Sequence, residues 1–169
     1  VFSGGVASSG VSNVMDYITI ASTGNATDFG DQTAEKGYHA GFSNETRGII
    51  AGGYNDSVGK IDVIEFITIA TAGNAQDFGD GTINRAGAPM AVSNGNRGIW
   101  AGGDVGNDSL TNVINYVTIA QTGNAVDFGD LTATMIQPMP TQSPTRVVLA
   151  GGYNPSSSAY ITTSEFFNF

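Results

Sequence analysis

The chain has 169 residues, including 24 glycines and no cysteine, and its formal net charge is −9. The missing cysteines exclude a disulfide scaffold and a thiolate metal site, and six Lys and Arg residues against 15 Asp and Glu residues exclude the basic surface of a nucleic-acid binder. Hydrophobic residues make up 40% of the chain, but no apolar run approaches the roughly 18 residues of a membrane helix, so no membrane insertion is predicted.

Two sequence landmarks recur along the chain with one period. A double glycine returns at intervals of 48, 50 and 49 residues, and Asp-Phe-Gly-Asp returns at intervals of 49 and 50 residues. A shared period near 50 residues predicts a repeat protein of the propeller or array kind. The predicted copies form one repeat domain, with copies at residues 1–37, 38–86, 87–136 and, in part, 137–169.

Four strand-like segments follow one another within each copy. In the third copy, the first segment runs from Ala88 to Ser93 and ends at the hairpin signal Asn-Gly, and the second runs from Gly98 to the double glycine. The third segment, Asn112 to Ile119, is apolar and β-branched on both faces, which predicts a buried strand. The fourth is Val126 to Asp130. No segment has helical spacing over three turns, so we predict an all-β fold of four antiparallel strands per copy.

Each predicted sheet is too small to bury both faces alone, so the sheets must stack on one another, and radial stacking would give a propeller. The chain contains four second and four third segments but three first and three fourth segments, so we expect an incomplete ring. Three interpretations stay open: further blades before Val1, which we prefer, a strained four-bladed ring, or completion by another chain. A sheet that contains both Val1 to Gly5 and Glu165 to Phe169 would favour the four-bladed ring.

The order of these landmarks resembles the kelch repeat, in which a hydrophobic strand ends in Gly-Gly and is followed by a variable loop, a Glu-Tyr-like strand and an Asn-aromatic pair. This chain places Phe, not Trp, at the final aromatic, four residues after the Asn instead of two. The resemblance implies β-propeller blades. The matching residues are Ile49 to Gly53, Glu65-Phe66, Asn74 and Phe78 in one copy, and Ile99 to Gly103, Asn115-Tyr116, Asn124 and Phe128 in the next.

The string Thr-Gly-Asn-Ala-x-Asp-Phe-Gly-Asp also resembles repeats in tail-fibre and virion structural proteins of marine bacteriophages. That resemblance implies a virion or extracellular location, with other virion or fibre subunits as partners and a homo-oligomer as one arrangement.

The aspartates of the repeated motif have two interpretations. Oxygen ligands at this density could hold Ca²⁺, but the spacing matches no EF-hand, and Asn and Asp side chains at tight turns commonly bond their own backbone. We favour the turn interpretation, in which the motif builds the blade, its glycines supply positive φ and no cofactor is bound. The residues concerned are Asp28, Asp31, Asp77, Asp80, Asp127 and Asp130, together with Phe29, Phe78 and Phe128.

Other repeated residues also point to construction. We expect the arginines that precede each glycine-ending strand to pair with repeat aspartates, and the glycine pairs to end strands where neighbouring backbones approach closely. His39 is the single histidine, and no nucleophile or zinc pattern surrounds it, so it is interpreted as a surface or loop residue. The repeated residues are Arg47, Arg97 and Arg146, and Gly52, Gly53, Gly102, Gly103, Gly151 and Gly152.

The segment after each glycine pair differs in every copy, and variable loops on a repeated scaffold are where recognition usually resides. We therefore expect a structural or recognition module that binds a host glycan or a partner protein. The alternatives are a cellular protein-interaction propeller and, least favoured, an enzyme on a propeller scaffold. The candidate ligand-binding residues are Tyr54, Asn55, Asp104, Asn107, Asp108, Tyr153, Asn154 and Tyr160.

Overall fold

A computed structural model describes residues 1–87, 89–155 and 157–169. Those residues form strands, turns and bends without a helix, which confirms the all-β prediction. The first nine strands are β1 (Phe2–Ala7), β2 (Gly10–Tyr17), β3 (Thr27–Asp31), β4 (Ala40–Ser43), β5 (Arg47–Asn55), β6 (Gly59–Thr68), β7 (Gln76–Asp80), β8 (Met90–Ser93) and β9 (Arg97–Ala101). The others are β10 (Asp104–Gly106), β11 (Ser109–Leu110), β12 (Val113–Thr118), β13 (Val126–Asp130), β14 (Met139–Gln142), β15 (Arg146–Ala150), β16 (Tyr153–Asn154), β17 (Ala159–Tyr160) and β18 (Ser164–Asn168).

The strands form six antiparallel sheets. Two of them are the two-stranded hairpins β10-β11 and β16-β17, and the other four, numbered here in chain order, have three or four strands each. Sheet 1 has the order β1-β2-β3, sheet 2 β4-β5-β6-β7, sheet 3 β13-β12-β9-β8, and sheet 4 β14-β15-β18. Sheets 2 and 3 therefore contain all four predicted strands of a copy, whereas sheet 1 has no first strand and sheet 4 no fourth strand among the described residues. Because β1 and β18 belong to different sheets, the condition set above for a four-bladed ring is not met.

The Asn-Gly hairpin of the third copy forms as predicted. Strands β8 and β9 pair from Met90 with Ala101 to Ser93 with Gly98, and the Asn94 side chain accepts the N–H groups of the two residues that close the turn. The predicted start of this strand, Ala88, lies outside the described residues.

The glycine pairs differ from the prediction in one respect, because they do not always end a strand. Gly52 and Gly53 lie inside β5, where a register shift marks a bulge. Their φ values are 66° and 122°. A Cβ at Gly52 would lie 2.8 Å from the carbonyl oxygen of Arg85, which is in the segment between β7 and β8; we call such a segment, which connects one sheet to the next, a linker. The close approach of backbones was predicted correctly, and the bulge lets the strand continue past it.

The variable segments, predicted as loops, are β-hairpins that extend the second and third strands of each sheet. In the third copy, Asn107 and Asp108 form the tight turn with φ values of 52° and 57°, a conformation that Asn and Asp tolerate better than most residues. We call these hairpins ribbons 1 to 4, comprising residues 5–12, 53–61, 104–110 and 153–160.

Consecutive sheets stack face to face and share hydrophobic clusters. Between sheets 2 and 3, Phe42 stacks on Trp100 with ring centroids 5.7 Å apart, and Ile119 is fully buried in the same cluster. A second cluster joins sheet 3 to Val147 and Leu149 of sheet 4. Burial between neighbouring sheets, and not a single central core, therefore stabilises the fold.

The Asp-Phe-Gly-Asp motif forms a bulge at the outer edge of sheets 1, 2 and 3. Asp16 pairs with Asp28 and Met15 with Gly30, so Phe29 has no residue opposite it. Its ring turns into the interface with sheet 2, and the Asp28 side chain accepts the N–H of Gly30 at 3.1 Å. The equivalent bond recurs from Gly129 to Asp127 at 2.9 Å. The turn interpretation predicted both features, namely aspartate side chains that bond the nearby backbone and motif glycines with positive φ.

The loop before the motif holds the motif strand of the preceding sheet. Gly73 and Ala75 donate their N–H groups to the carbonyl oxygens of Phe29 and Asp31 at 2.6 and 2.8 Å, and the N–H of Asp31 donates to the side-chain oxygen of Asn74 at 3.1 Å. We call this three-bond contact the clasp. It recurs between Gly123, Asn124 and Ala125 and the strand β7.

A buried polar contact joins the linker between β3 and β4 to sheet 2, and a similar contact joins the linker between β7 and β8 to sheet 3. The Lys36 ammonium pairs with the Glu65 carboxylate at 2.6 Å, both side chains are fully buried, and Thr33 donates to the same carboxylate. In the following sheet Arg85 bonds Asn115 at 2.6 Å. The polar side chain of the third strand loses its contact with water when it is buried, and the bond from the linker cation compensates for that loss.

Candidate functional site

The ribbons are fixed at their base by the linker that enters each sheet. Tyr54 exchanges two backbone hydrogen bonds with Gly37, at 2.8 and 3.0 Å. Asp104 and Tyr153 make the same exchange with Ala86 and Ile136. The residue directly after each double glycine is thus held by an identical backbone arrangement, while its side chain changes from Tyr to Asp to Tyr.

The linker residue that follows this contact has a left-handed backbone in all three places. The φ values are 57° for Tyr38, 80° for Gly87 and 53° for Gln137. Glycine adopts this conformation without penalty, whereas a bulky residue does so at a cost of roughly 1–2 kcal/mol. Tyr38 is 53% exposed, so its ring projects from a strained position on the surface.

Tyr38 and Tyr54 line a cleft of about 280 Å³ between ribbons 2 and 3. The Lys60 ammonium of ribbon 2 crosses it to the Asp104 carboxylate at 3.1 Å, and both side chains are partly exposed. The cleft therefore combines two aromatic rings with an ion pair, so its walls offer both stacking surfaces and charged hydrogen-bonding groups. We call it the tyrosine cleft; Ala86 and Gly87 complete its lining.

A second cleft, of about 580 Å³, lies between ribbons 3 and 4. Asp104 lines both clefts and Asp108 joins it here, while Leu110, Ile136 and Pro155 supply apolar surface. Two of the predicted ligand-binding aspartates therefore come together beside the tyrosine cleft.

The remaining predicted residues occupy other positions. The Asn55 and Asn154 side chains donate to the linker carbonyls of Glu35 and Thr134, at 2.7 and 3.3 Å, so they fasten the ribbons to the scaffold. Asn107 forms the turn of ribbon 3. Tyr153 and Tyr160 face each other on ribbon 4 with ring centroids 5.2 Å apart, outside the residues that line the two clefts.

The expected pairing of the repeat arginines with aspartates is wrong. The guanidinium carbons of Arg47, Arg97 and Arg146 lie 4.7, 4.9 and 4.7 Å from the ring centroids of the aromatic residues on the third strands. The arginine and the ring are cross-strand neighbours near the open end of the hairpin, so the side chain reaches the ring face, where a cation–π contact forms.

The motif aspartates lie at the outer sheet edges and do not converge. Within residues 1–87, 89–155 and 157–169, no three His, Cys, Asp or Glu side chains are grouped so that they could hold a metal ion. The clefts and the motif are separate features of each copy.

His39 lies in the linker between β3 and β4, in agreement with the predicted surface or loop position, but it is only partly exposed. Its Nε2 lies 3.0 Å from the Ser3 hydroxyl, and its side chain is partly buried beside Lys36. Burial, reinforced by the Lys36 charge, lowers the pKa of His39 to about 4. The Nδ1 atom has no hydrogen-bond partner in the described chain.

Sequence reasoning missed Tyr38 and Lys60. Alignment of the copies would have placed Tyr38 opposite Gly87, and a bulky residue at a position where a related copy has glycine is a signal of a special backbone. Lys60 gave no signal, because its role depends on Asp104 of the next copy, 44 residues further along the chain.

In the part of the chain that the structure describes, no helix is long and apolar enough to cross a membrane. Neither a protein-family model nor a curated protein matches the sequence.

Proposed function

We propose that this chain is a non-enzymatic recognition module that binds a glycan in the tyrosine cleft. The observation that carries this proposal is the pairing of Tyr38 and Tyr54 with the Lys60–Asp104 ion pair in one cleft. Sugars present apolar C–H faces and many hydroxyl groups, so aromatic rings and charged hydrogen-bonding groups suit them together.

The strain at Tyr38 supports a functional role for that ring. Left-handed φ values at bulky residues persist where the surroundings enforce them, and they concentrate at binding and catalytic sites. The equivalent residue of the next copy, Gly87, satisfies the same backbone without strain.

A protein partner is the second candidate, and the cleft between ribbons 3 and 4 favours it. Asp104 and Asp108 beside Leu110 and Ile136 would suit a basic and apolar side chain of a neighbouring subunit.

We further propose that the stacked sheets are kelch-like blades of a propeller, and that the chain acts in a virion appendage or another extracellular fibre. The sheet-on-sheet stacking and the four-stranded order of sheets 2 and 3 support blades. The fibre setting is supported by the resemblance of the Asn-Ala-x-Asp-Phe-Gly-Asp string to bacteriophage repeats.

The test is a glycan array probed with the purified chain, followed by titration of the best glycan. We expect Tyr54→Ala to lower affinity at least tenfold, because loss of one stacking ring removes roughly 1–3 kcal/mol. The matched control is Val58→Ala, since Val58 is exposed on the same ribbon but does not line the cleft. Binding that survives Tyr54→Ala unchanged, or no binding to any glycan, would count against the proposal.

A further inference from the structure

The outer edge of β18 in sheet 4 has no strand beside it in the described chain. In the other three sheets, the third strand pairs on that side with the motif strand, which gives the pairs β2–β3, β6–β7 and β12–β13. An unpaired strand edge is a template for another strand.

The aromatic residues mark the same vacant position. Phe66 meets Phe78 edge to face at 6.1 Å, and Tyr116 meets Phe128 in the same way at 5.9 Å. Phe166 occupies the equivalent place in β18 and is held there by Arg146, yet it is 62% exposed. The Phe166 ring is therefore exposed where the equivalent rings of sheets 2 and 3 contact the Phe of a motif strand.

The clasp is also unfilled at β13. A Cβ built on the motif glycines of β3 and β7 would lie 2.6 and 2.5 Å from the backbone of the clasping loop, because Gly73 and Gly123 press against them. At Gly129 of β13 a Cβ would meet nothing within 4 Å. Sheet 3 therefore presents an open clasp next to the open edge of sheet 4.

We propose that this combined edge binds a β-strand from outside residues 1–169 that carries the pattern Gly-Asn-Ala-x-Asp-Phe-Gly-Asp. The incoming strand pairs antiparallel with β18 and sets its Phe edge-on against Phe166. Its Gly and Ala N–H groups donate to the carbonyl oxygens of Phe128 and Asp130, and its Asn side chain accepts the N–H of Asp130. Main-chain bonds supply the affinity of such strand addition, and side-chain positions supply its specificity.

A second copy of residues 1–169 is not the expected donor. Each of its three motif strands is already paired in its own sheet, and β3 and β7 are clasped as well. Donation would require one of these strands to leave its sheet.

The probe is a synthetic peptide with the sequence of residues 122–131, titrated into the full chain by calorimetry, with the amide resonances followed by NMR. We expect saturable binding and shifts confined to β18 and β13. A peptide with Ala in place of its Phe should bind at least tenfold more weakly, and Ala in place of its Asn should weaken binding about fivefold, the effect of one hydrogen bond. A scrambled peptide should not bind.

The protein variant Gly129→Ala should weaken peptide binding at least tenfold, because its methyl group would occupy the place of the clasping backbone. Gly95→Ala is the control, since Gly95 also has positive φ and open space around it but lies in a distant turn. If Gly129→Ala fails to fold, the proposal is tested by titrating the peptide variants into the unmodified protein. Absent binding, equal binding of the scrambled peptide, or concentration-dependent shifts of β18 without peptide would overturn the proposal; the last would identify a second copy as the occupant. Failure of this strand-binding proposal would not count against glycan binding in the tyrosine cleft.

Discussion

The Lys36–Glu65 pair is the most consequential residue-level contact in the scaffold. Both side chains are fully buried, and loss of one partner leaves the other charge without compensation. We predict that Glu65→Ala lowers the free energy of unfolding by about 3–5 kcal/mol, and that adding Lys36→Met restores part of that loss. Denaturant unfolding measures both variants.

The chain offers a matched control for this prediction in its fourth copy. Glu165 stands where Glu65 does, but Met135 replaces the lysine, and the carboxylate accepts the N–H of Thr132 at 2.9 Å. Glu165→Ala should cost about 1 kcal/mol, the net effect of one hydrogen bond. A double variant no more stable than Glu65→Ala would contradict the assignment of the cost to the stranded lysine.

His39 makes stability depend on pH at the residue level. The pKa of His39 is about 4 in the folded chain, whereas an unperturbed histidine, as in the unfolded chain, has a pKa of 6.5. Between these two values the unfolded chain binds a proton that the folded chain does not. The stabilising contribution is full above pH 6.5 and is lost as pH falls towards 4, by up to about 1.4 kcal/mol per pH unit.

We predict that His39→Ala flattens the decline in unfolding free energy between pH 7 and pH 5. Denaturant unfolding at a series of pH values measures the slope. Alanine stands at the equivalent sequence position of the next copy, and an unchanged slope in the variant would refute the assignment.

The clasp is the repeated device at the level of elements, and the chain again contains its own control. Asn74 bonds the N–H of Asp31, whereas Asn25, the same motif residue in the first copy, makes no side-chain hydrogen bond within the described chain. We predict that Asn74→Ala lowers the free energy of unfolding by about 1 kcal/mol and that Asn25→Ala changes it by less than about 0.5 kcal/mol. Equal effects in thermal unfolding would show that the side-chain bond of the clasp contributes nothing to stability.

Local patterns were sufficient to predict the strands, but not the contacts between copies. The β-branched segment from Asn112 to Ile119 specifies a strand, and Asn94-Gly95 specifies a hairpin turn, both through nearby residues, so both were predicted correctly. Ribbon 3 is a hairpin where the sequence predicted a loop, because sequence variation between copies conceals a tight turn made by two left-handed residues.

The site was only partly predictable for a related reason. Tyr54 and Asp104 were found because they begin variable segments. The bond from Lys60 to Asp104 and the approach of Tyr38 are set by how neighbouring sheets stack, which no pattern within one copy encodes. The prediction for the arginines was wrong for the same reason. Their aromatic partner lies on the neighbouring strand, and the sequence alone does not show which residues of two strands face each other.

At the scale of the whole molecule, stability should vary along the stack. Sheets 2 and 3 each share a hydrophobic cluster with two neighbouring sheets, whereas sheets 1 and 4 each share a cluster with one neighbour among the described residues. We predict the slowest amide hydrogen exchange in β5, β6, β9 and β12 and the fastest in β14 and β18, because local opening is easiest where packing is one-sided. Exchange at one rate across all four sheets would instead indicate a single cooperative core.

The central claim is that a repeated scaffold fixes the ribbons while the tyrosine cleft binds, and the variant Tyr38→Gly separates the two roles. Glycine relieves the left-handed strain at this position but increases the freedom of the unfolded chain, so the free energy of unfolding should stay within about 1 kcal/mol of the parent. The measurement is affinity for the array-selected glycan alongside denaturant unfolding of the same sample. The account predicts affinity at least tenfold lower with stability preserved, and unchanged affinity in the folded variant would contradict it.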